Sequence, residues 1–291
     1  MIRNHTVHYQ QGVGQENEDA YVIDEQHHVY AVIDGATGLD GLPGKLAADA
    51  LQQGLKEGKA EERLLDRVLE SNRSIGELNT KEEEILPKEE RTSCGLAAIK
   101  IWETGQVEYV HTGDCMIFLE YGDSQIRSIT FDHLAPLDTL AIKRLQVQWA
   151  ERLAPDEHPN TWPEERIKAT LRELRDMNMP RLKENRSKMN TRGGYSIIDG
   201  TEDVAQFIEH GTFYLHNVTR ILMLSDGLQL PTHKAQGQNV WQETAAFAFE
   251  HGLDALQSRI NELEANDPAC YDYPRLKRAD DKTGILLDVV G

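Results

Sequence analysis

Apolar positions along this chain come in two patterns, and their alternation predicts layers of sheet and helix. Short continuous runs such as Val29 to Ile33 and Ile221 to Leu224 read as strands buried on both faces. Spaced apolar positions at Leu46, Ala47, Ala50, Leu51 and Leu55 form a helical stripe. A second stripe runs from Glu61 to Leu78 through Leu64, Leu65, Val68, Leu69, Ile75 and Leu78. Thr6 to Gln10 and Ala20 to Ile23 read as strands, the latter pairing antiparallel with the run after His27-His28. Lys81 to Glu90 reads as a charged connector.

Four β-rich runs follow, Ser93 to Ile101, Gln106 to Thr112, Cys115 to Tyr121 and Gln125 to Ile129. Turn residues at Glu103-Thr-Gly-Gln106 and Tyr121-Gly-Asp-Ser124 predict an antiparallel meander. Asp132 to Arg192 then interrupts with helical sequence, a capping-box pattern at Thr161-Trp-Pro-Glu164 standing before Ile167, Leu171 and Leu174. Strands are expected to resume at Tyr195 to Ile198, Val204 to Ile208 and Thr212 to Leu215, before the Ile221 run. A helical stretch from Trp241 to about Leu263 and a closing strand, Gly284 to Val290, complete the chain. Sheets covered by helices on each side are the expected architecture.

Composition narrows the class. With 291 residues there is material for a large core, and the net charge of −18 argues against nucleic acid or an anionic membrane as partner. The segment 132–192 runs against that charge, carrying slightly more Lys and Arg than Asp and Glu, which marks it as an inserted subdomain. Cys94, Cys115 and Cys270 are widely spaced and form no CxxC pair, so a reducing, cytoplasmic setting is expected and the cysteines read as small core residues. No signal core or membrane-length run is visible.

The candidate chemistry lies where strands end. Carboxylates abut β-runs at Glu18-Asp19, Asp34-Gly35, Asp226-Gly227 and Asp280-Asp281, with Asp114 in Thr112-Gly-Asp as a fifth site. One such pair is ordinary turn chemistry. Brought together, they would repel one another unless cations neutralised them, and oxygen ligands favour hard ions such as Mg²⁺ or Mn²⁺.

The order Asn17-Glu-Asp-Ala20, Val32-Ile-Asp-Gly35, Thr112-Gly-Asp114, Leu224-Ser-Asp-Gly227 and Asp280-Asp-Lys-Thr283 resembles the metal-dependent Ser/Thr protein phosphatases of the type 2C (PPM) family, over nearly the whole chain from Gly12 to Val289. The resemblance implies an α+β fold, a four-layer α-β-β-α sandwich of two mainly antiparallel sheets flanked by helices. It would be a single domain over 1–291, with a helical flap inserted at about 132–192. It implies a centre of two Mn²⁺ or Mg²⁺ ions, bridged by the catalytic Asp34, with Gly35 giving a carbonyl ligand. Asp226 and Asp280 would bind one ion, Glu18 and Asp19 would lie near the other, and Asp114 would help hold a third, weaker ion. The implied activity is removal of phosphate from phosphoserine or phosphothreonine proteins by a hydroxide bridging the two ions.

Two departures stand out. The position of the family's phosphate-binding Arg is Gly14, and a His that often follows Asp-Gly is here Ala36. The stretch Arg181 to Arg192, leading into a possible hinge at Gly193-Gly194, is read either as a solvated helix face or as the replacement cation. Arg186 and Arg192 are its candidates, with Arg91 as another. His5 and His8 lie in β-like sequence and make no zinc pair; His111 reads as packing or hydrogen-bonding within the sheet. The alternative function is a catalytically weak phosphatase-like module that binds a protein partner through its insert.

Overall fold

The computed structural model of this chain describes residues 2–233 and 240–290. Strands β1 (Ile2–Gln10), β2 (Ala20–Asp24) and β3 (Val29–Ala36) are followed by helices α1 (Gly44–Glu57) and α2 (Leu64–Leu78). A two-residue hairpin, β4 (Thr80–Lys81) and β5 (Glu84–Ile85), occupies the charged connector. Next come β6 (Ser93–Ile101), β7 (Gln106–Thr112), β8 (Met116–Tyr121) and β9 (Ile126–Ser128). Helices α3 (Ala135–Arg152) and α4 (Glu164–Arg186) occupy the segment 132–192. The one-turn α5 (Val204–Phe207), strands β10 (Glu209–Tyr214) and β11 (Val218–Leu224), helices α6 (Val240–His251) and α7 (Leu253–Asn266), and β12 (Lys282–Val289) complete the chain.

Two five-stranded antiparallel sheets result, ordered β1-β12-β11-β8-β9 and β10-β7-β6-β3-β2. Alternation explains why their central strands are apolar throughout. Ala31 and Ile33 of β3 point to α1 and α2, packing with Leu51, Leu55, Val68 and Ile75. Tyr30 and Val32, on the opposite face, meet Ile117, Leu119, Ile221, Met223, Ile285 and Leu287 between the sheets. Phe118, Leu222 and Leu224 face outward again, onto Ala245, Phe249, Leu256 and Ile260 of α6 and α7. The α-β-β-α order expected from the sequence is present.

Several local expectations give way to tertiary contacts. The four-strand meander is two hairpins in different sheets, because the chain crosses between them at Gly113, whose φ of +77° suits glycine. Val204 to Ile208 is a helical turn rather than a strand, and 195–198 joins the fold only through isolated bridges, Cys94 to Ile198 and Met189 to Tyr195. The late helical stretch is divided at Gly252, φ +85°, into α6 and α7. The Thr161 box does not cap α4: its hydroxyl donates to the His158 carbonyl, and the helix begins at Glu164 behind Pro163.

Helices α3 and α4 share a small core of Leu145, Trp149, Ile167 and Leu174, closed by Ala269 of the loop after α7. No helix among the described residues is long and apolar enough to cross a membrane.

Candidate metal centre

Both sheets deliver carboxylates to one edge of the sandwich. Asp34 lies at the end of β3, where its residue pairs with Gly95 and Gly35 pairs with Cys94. Asp19 immediately precedes β2, the neighbour of β3. From the other sheet, Asp226 opens the turn after β11, and Asp280 and Asp281 precede the adjacent β12. Asp114 sits in the β7–β8 crossover. Glycine is needed at two of these places for close backbone approach. A Cβ on Gly35 would collide with the Glu18 carbonyl, and one on Gly227 with the Asp281 carbonyl.

The electrostatics record this convergence. Burial, reinforced by Asp226, Asp19, Asp114 and Asp280, holds the Asp34 carboxyl well above the ordinary carboxylate range. Asp114 is raised in the same direction by burial and then by Asp226, Asp132 and Asp138. Burial and Asp280 push Asp226 up to about 6, against the opposing pull of Lys277 and a hydrogen bond with Asp34. Asp138, on the first turn of α3, is pushed to about 7 by burial, Asp226 and Asp132. These groups share more negative charge than the protein around them compensates, and their donors are all oxygen. Such a set suits a hard divalent cation.

Not every expected residue is equally free to hold one. Asp19 is 1% exposed, pushed up to about 8 by burial, and accepts a 2.9 Å hydrogen bond from Ser225 Oγ. Glu18 Oε1 accepts from Thr37 Oγ1 and from the Gly44 amide at 2.8 Å, tying the loop after β3 to the start of α1. Asp281 is an internal latch: its two oxygens accept from the Gly12 and Glu18 amides, each at 2.7 Å. Asp280, beside it, keeps its carboxylate at the cluster, where Lys277 Nζ approaches Oδ1 to 2.7 Å.

Lys277 is a residue that the sequence does not single out. Its ammonium is kept protonated by Asp280, Asp226 and Asp34, which together outweigh its desolvation. The loop that carries it is organised by Asp267, which accepts from the Tyr271 and Tyr273 amides, each at 2.9 Å, and from Arg275 Nη1 at 2.8 Å. Nothing in Arg275-Leu-Lys-Arg278 distinguishes the lysine that pairs with Asp280 from its basic neighbours. Asp132 is likewise unmarked. Its Oδ1 accepts from the Leu134 and Ala135 amides at the start of α3, and its Oδ2 from Trp241 Nε1 at 2.8 Å.

Among the candidate phosphate cations, Arg186 reaches the cluster's rim. Its guanidinium donates to the Thr37 carbonyl at 2.9 Å and to Ser93 Oγ at 3.1 Å, next to the Asp34 loop. Arg192 is exposed beyond the end of α4. Arg91 is no candidate after all: it is buried against Asp199 at 2.9 Å and donates to the Leu86 carbonyl, so its charge is spent in the core. Cys115 lies beside Asp34 and Asp114, their ligand atoms all within 4.8 Å. Burial and these carboxylates push its thiol well above its usual range, which keeps it protonated and unreactive.

By sequence, no protein-family model and no curated protein matches the chain. Solved structures do. The Mycobacterium tuberculosis serine/threonine phosphatase PstP/Ppp is 19% identical, with each chain covered in full and a TM-score of 0.57. The catalytic domain of PstP in complex with two manganese ions is 18% identical over 99% of this chain and 98% of that one, TM-score 0.56. The PPM Ser-Thr phosphatase MsPP from Mycobacterium smegmatis, in complex with cacodylate, is 20% identical over 99% of each chain, TM-score 0.55. The fold of this chain is therefore that of the PPM phosphatases.

Proposed function

We propose that this chain, with its PPM fold, is a Mn²⁺- or Mg²⁺-dependent phosphatase that removes phosphate from phosphoserine and phosphothreonine proteins. The observation that carries the proposal is the meeting of Asp34, Asp114, Asp226 and Asp280, drawn from both sheets, at one edge of the sandwich. The raised protonation of Asp34, Asp114 and Asp226 marks charge that a pair of divalent ions would compensate. Asp34 would serve both ions, Asp226 and Asp280 would hold one, Asp19 and the Glu18 loop would lie near the other, and Asp114 would help hold a third. When bound, two such ions would supply a water acidic enough to attack phosphorus near neutral pH and would neutralise the phosphoryl oxygens.

The chain's own residues divide the remaining work. Asp281, Glu18 and Ser225 hold the three ligand loops in register with one another. Arg186 is the best-placed cation for the substrate phosphate, since Gly14 offers none, and Lys277 is a second positive charge at the same edge. The insert built on α3 and α4 is then a flap belonging to a single domain, and it brings Arg186 to the site. The weak-module alternative draws on Gly14 and Ala36, but retention of the whole carboxylate set favours the enzyme.

The deciding experiment is hydrolysis of a phosphothreonine peptide with Mn²⁺ titrated against EDTA. Turnover should vanish with EDTA and fall by about three orders of magnitude or more in Asp34→Asn and Asp226→Asn. EDTA-insensitive turnover, or full activity in both variants, would refute the assignment.

A further inference from the structure

We propose that His111, His133 and Glu209 form a second metal site, distinct from the carboxylate cluster and suited to Zn²⁺. The three side chains come from separate parts of the chain. His111 is near the end of β7, and Glu209 opens β10 directly opposite it in the strand register. His133 lies just before α3, its amide donating to the Gly113 carbonyl at 3.0 Å. His111 Nδ1 is 3.2 Å from Glu209 Oε2, and His133 Nε2 is 3.4 Å from the same oxygen. One potential ligand atom from each residue lies within 4.8 Å of the other two.

Two arguments favour a cation over a hydrogen-bonded cluster. The first is metric. With Zn–N and Zn–O bonds of about 2.0–2.1 Å, tetrahedral ligands stand about 3.3 Å apart, which is the spacing of both histidine nitrogens from Glu209. The second is the hydrogen-bond account. His111 is wholly buried, and its Nε2 makes no hydrogen bond of regular geometry among the described residues, although the Cys115 backbone favours a proton on this ring. A proton on Nε2 turns the bare Nδ1 lone pair toward the Glu209 carboxylate, a contact that a cation relieves. With the proton on Nε2, the lone pairs of both histidines and the carboxylate converge on one point. Burial opposes charging His111 to relieve that convergence, though Glu209 pulls the other way.

Support for His133 is already built. Its Nδ1 lies 3.0 Å from Ser196 Oγ, which orients the ring so that Nε2 faces Glu209. Two imidazoles with one carboxylate select zinc over magnesium, and three protein ligands leave a fourth position for water or an incoming group. The site ties the start of the flap to the β7–β10 edge, three residues from Asp114, so occupancy would set how firmly the flap is anchored.

The test uses Co²⁺ as a spectroscopic stand-in for Zn²⁺ in the Asp34→Asn/Asp226→Asn chain, where the carboxylate cluster is disabled. A parallel arm uses the unaltered chain with that cluster saturated by Mg²⁺. One Co²⁺ per chain with the intense visible bands of four-coordinate cobalt is expected, displaced by Zn²⁺. Affinity should fall by about a hundredfold or more in His133→Ala and in Glu209→Gln. His133 is partly exposed, so its variant tests the site even if a His111 variant fails to fold. Unchanged cobalt uptake in both variants, or no four-coordinate spectrum in either arm, would overturn the site.

Discussion

Asp280 and Asp281 are chain neighbours with opposite employments. Asp280 presents its carboxylate to the cluster, whereas Asp281 spends both oxygens on backbone amides of the Gly12–Glu18 loop. Replacing Asp281 by Ala removes two charge-assisted hydrogen bonds and leaves two amides with no acceptor. The expected loss is about 2–3 kcal/mol in urea unfolding, with the Asp280 side of the centre left chemically intact. Lys277 poses the complementary case. Its ammonium contacts Asp280 and is held by the field of Asp226 and Asp34. Any cation entering the cluster has to displace it or bear its repulsion, so Lys277→Gln should tighten Mn²⁺ binding by about five- to tenfold in calorimetric titration.

At the scale of elements, α4 carries the proposed phosphate contact. This 23-residue helix contains Pro180 and ends at Arg186, whose guanidinium bridges from the helix end to Thr37 and Ser93. If that bridge is also the phosphate contact, Arg186→Ala should raise KM for a phosphopeptide by about tenfold or more and move kcat less. Equal loss in kcat and kcat/KM would place the arginine in the transition state instead. The helices and most strands are legible in the sequence, because their periods of 3.6 and 2 are local properties. The exceptions are short and decided by neighbours: 204–208 is apolar enough for a strand, yet it winds into one helical turn that buries Val204 in the α1–α2 core.

For the whole molecule, the concentration of half-buried carboxylates around the buried Asp19 makes stability depend on pH and metal together. Folded pKa values of about 6, 7 and 8 at Asp226, Asp138 and Asp19 lie above the ordinary aspartate value. The metal-free folded chain therefore retains protons that the unfolded chain has released. The stability from these groups is full below about pH 4 and is lost as pH rises through the folded values. The melting temperature without metal should thus fall between pH 5 and pH 8. Divalent ions bind the deprotonated carboxylates, so the rise in melting temperature on adding Mn²⁺ should be larger at pH 8 than at pH 5. Thermal scans at the two pH values, with EDTA and with Mn²⁺, measure both effects.

By itself the sequence determined the order of the carboxylate motifs, the strands and helices that carry them, and the expectation that they meet at one edge. These follow from short-range facts: a run of apolar residues, a turn-forming glycine, a carboxylate placed where a strand must stop. Only the tertiary structure decided which charges are free. Arg91 reads like any basic residue until Asp199, more than a hundred positions away, takes its charge. Asp281 becomes a latch because the Gly12 loop folds against it, and Lys277 meets Asp280 on a loop that the Asp267 network shapes. His111 and Glu209 become partners through the β7–β10 register. Each depends on contacts between distant segments, whose free energy exists only once the sheets have paired and packed. No local pattern can encode them, and the assignment of structural and reactive roles to identical side chains belongs to the fold.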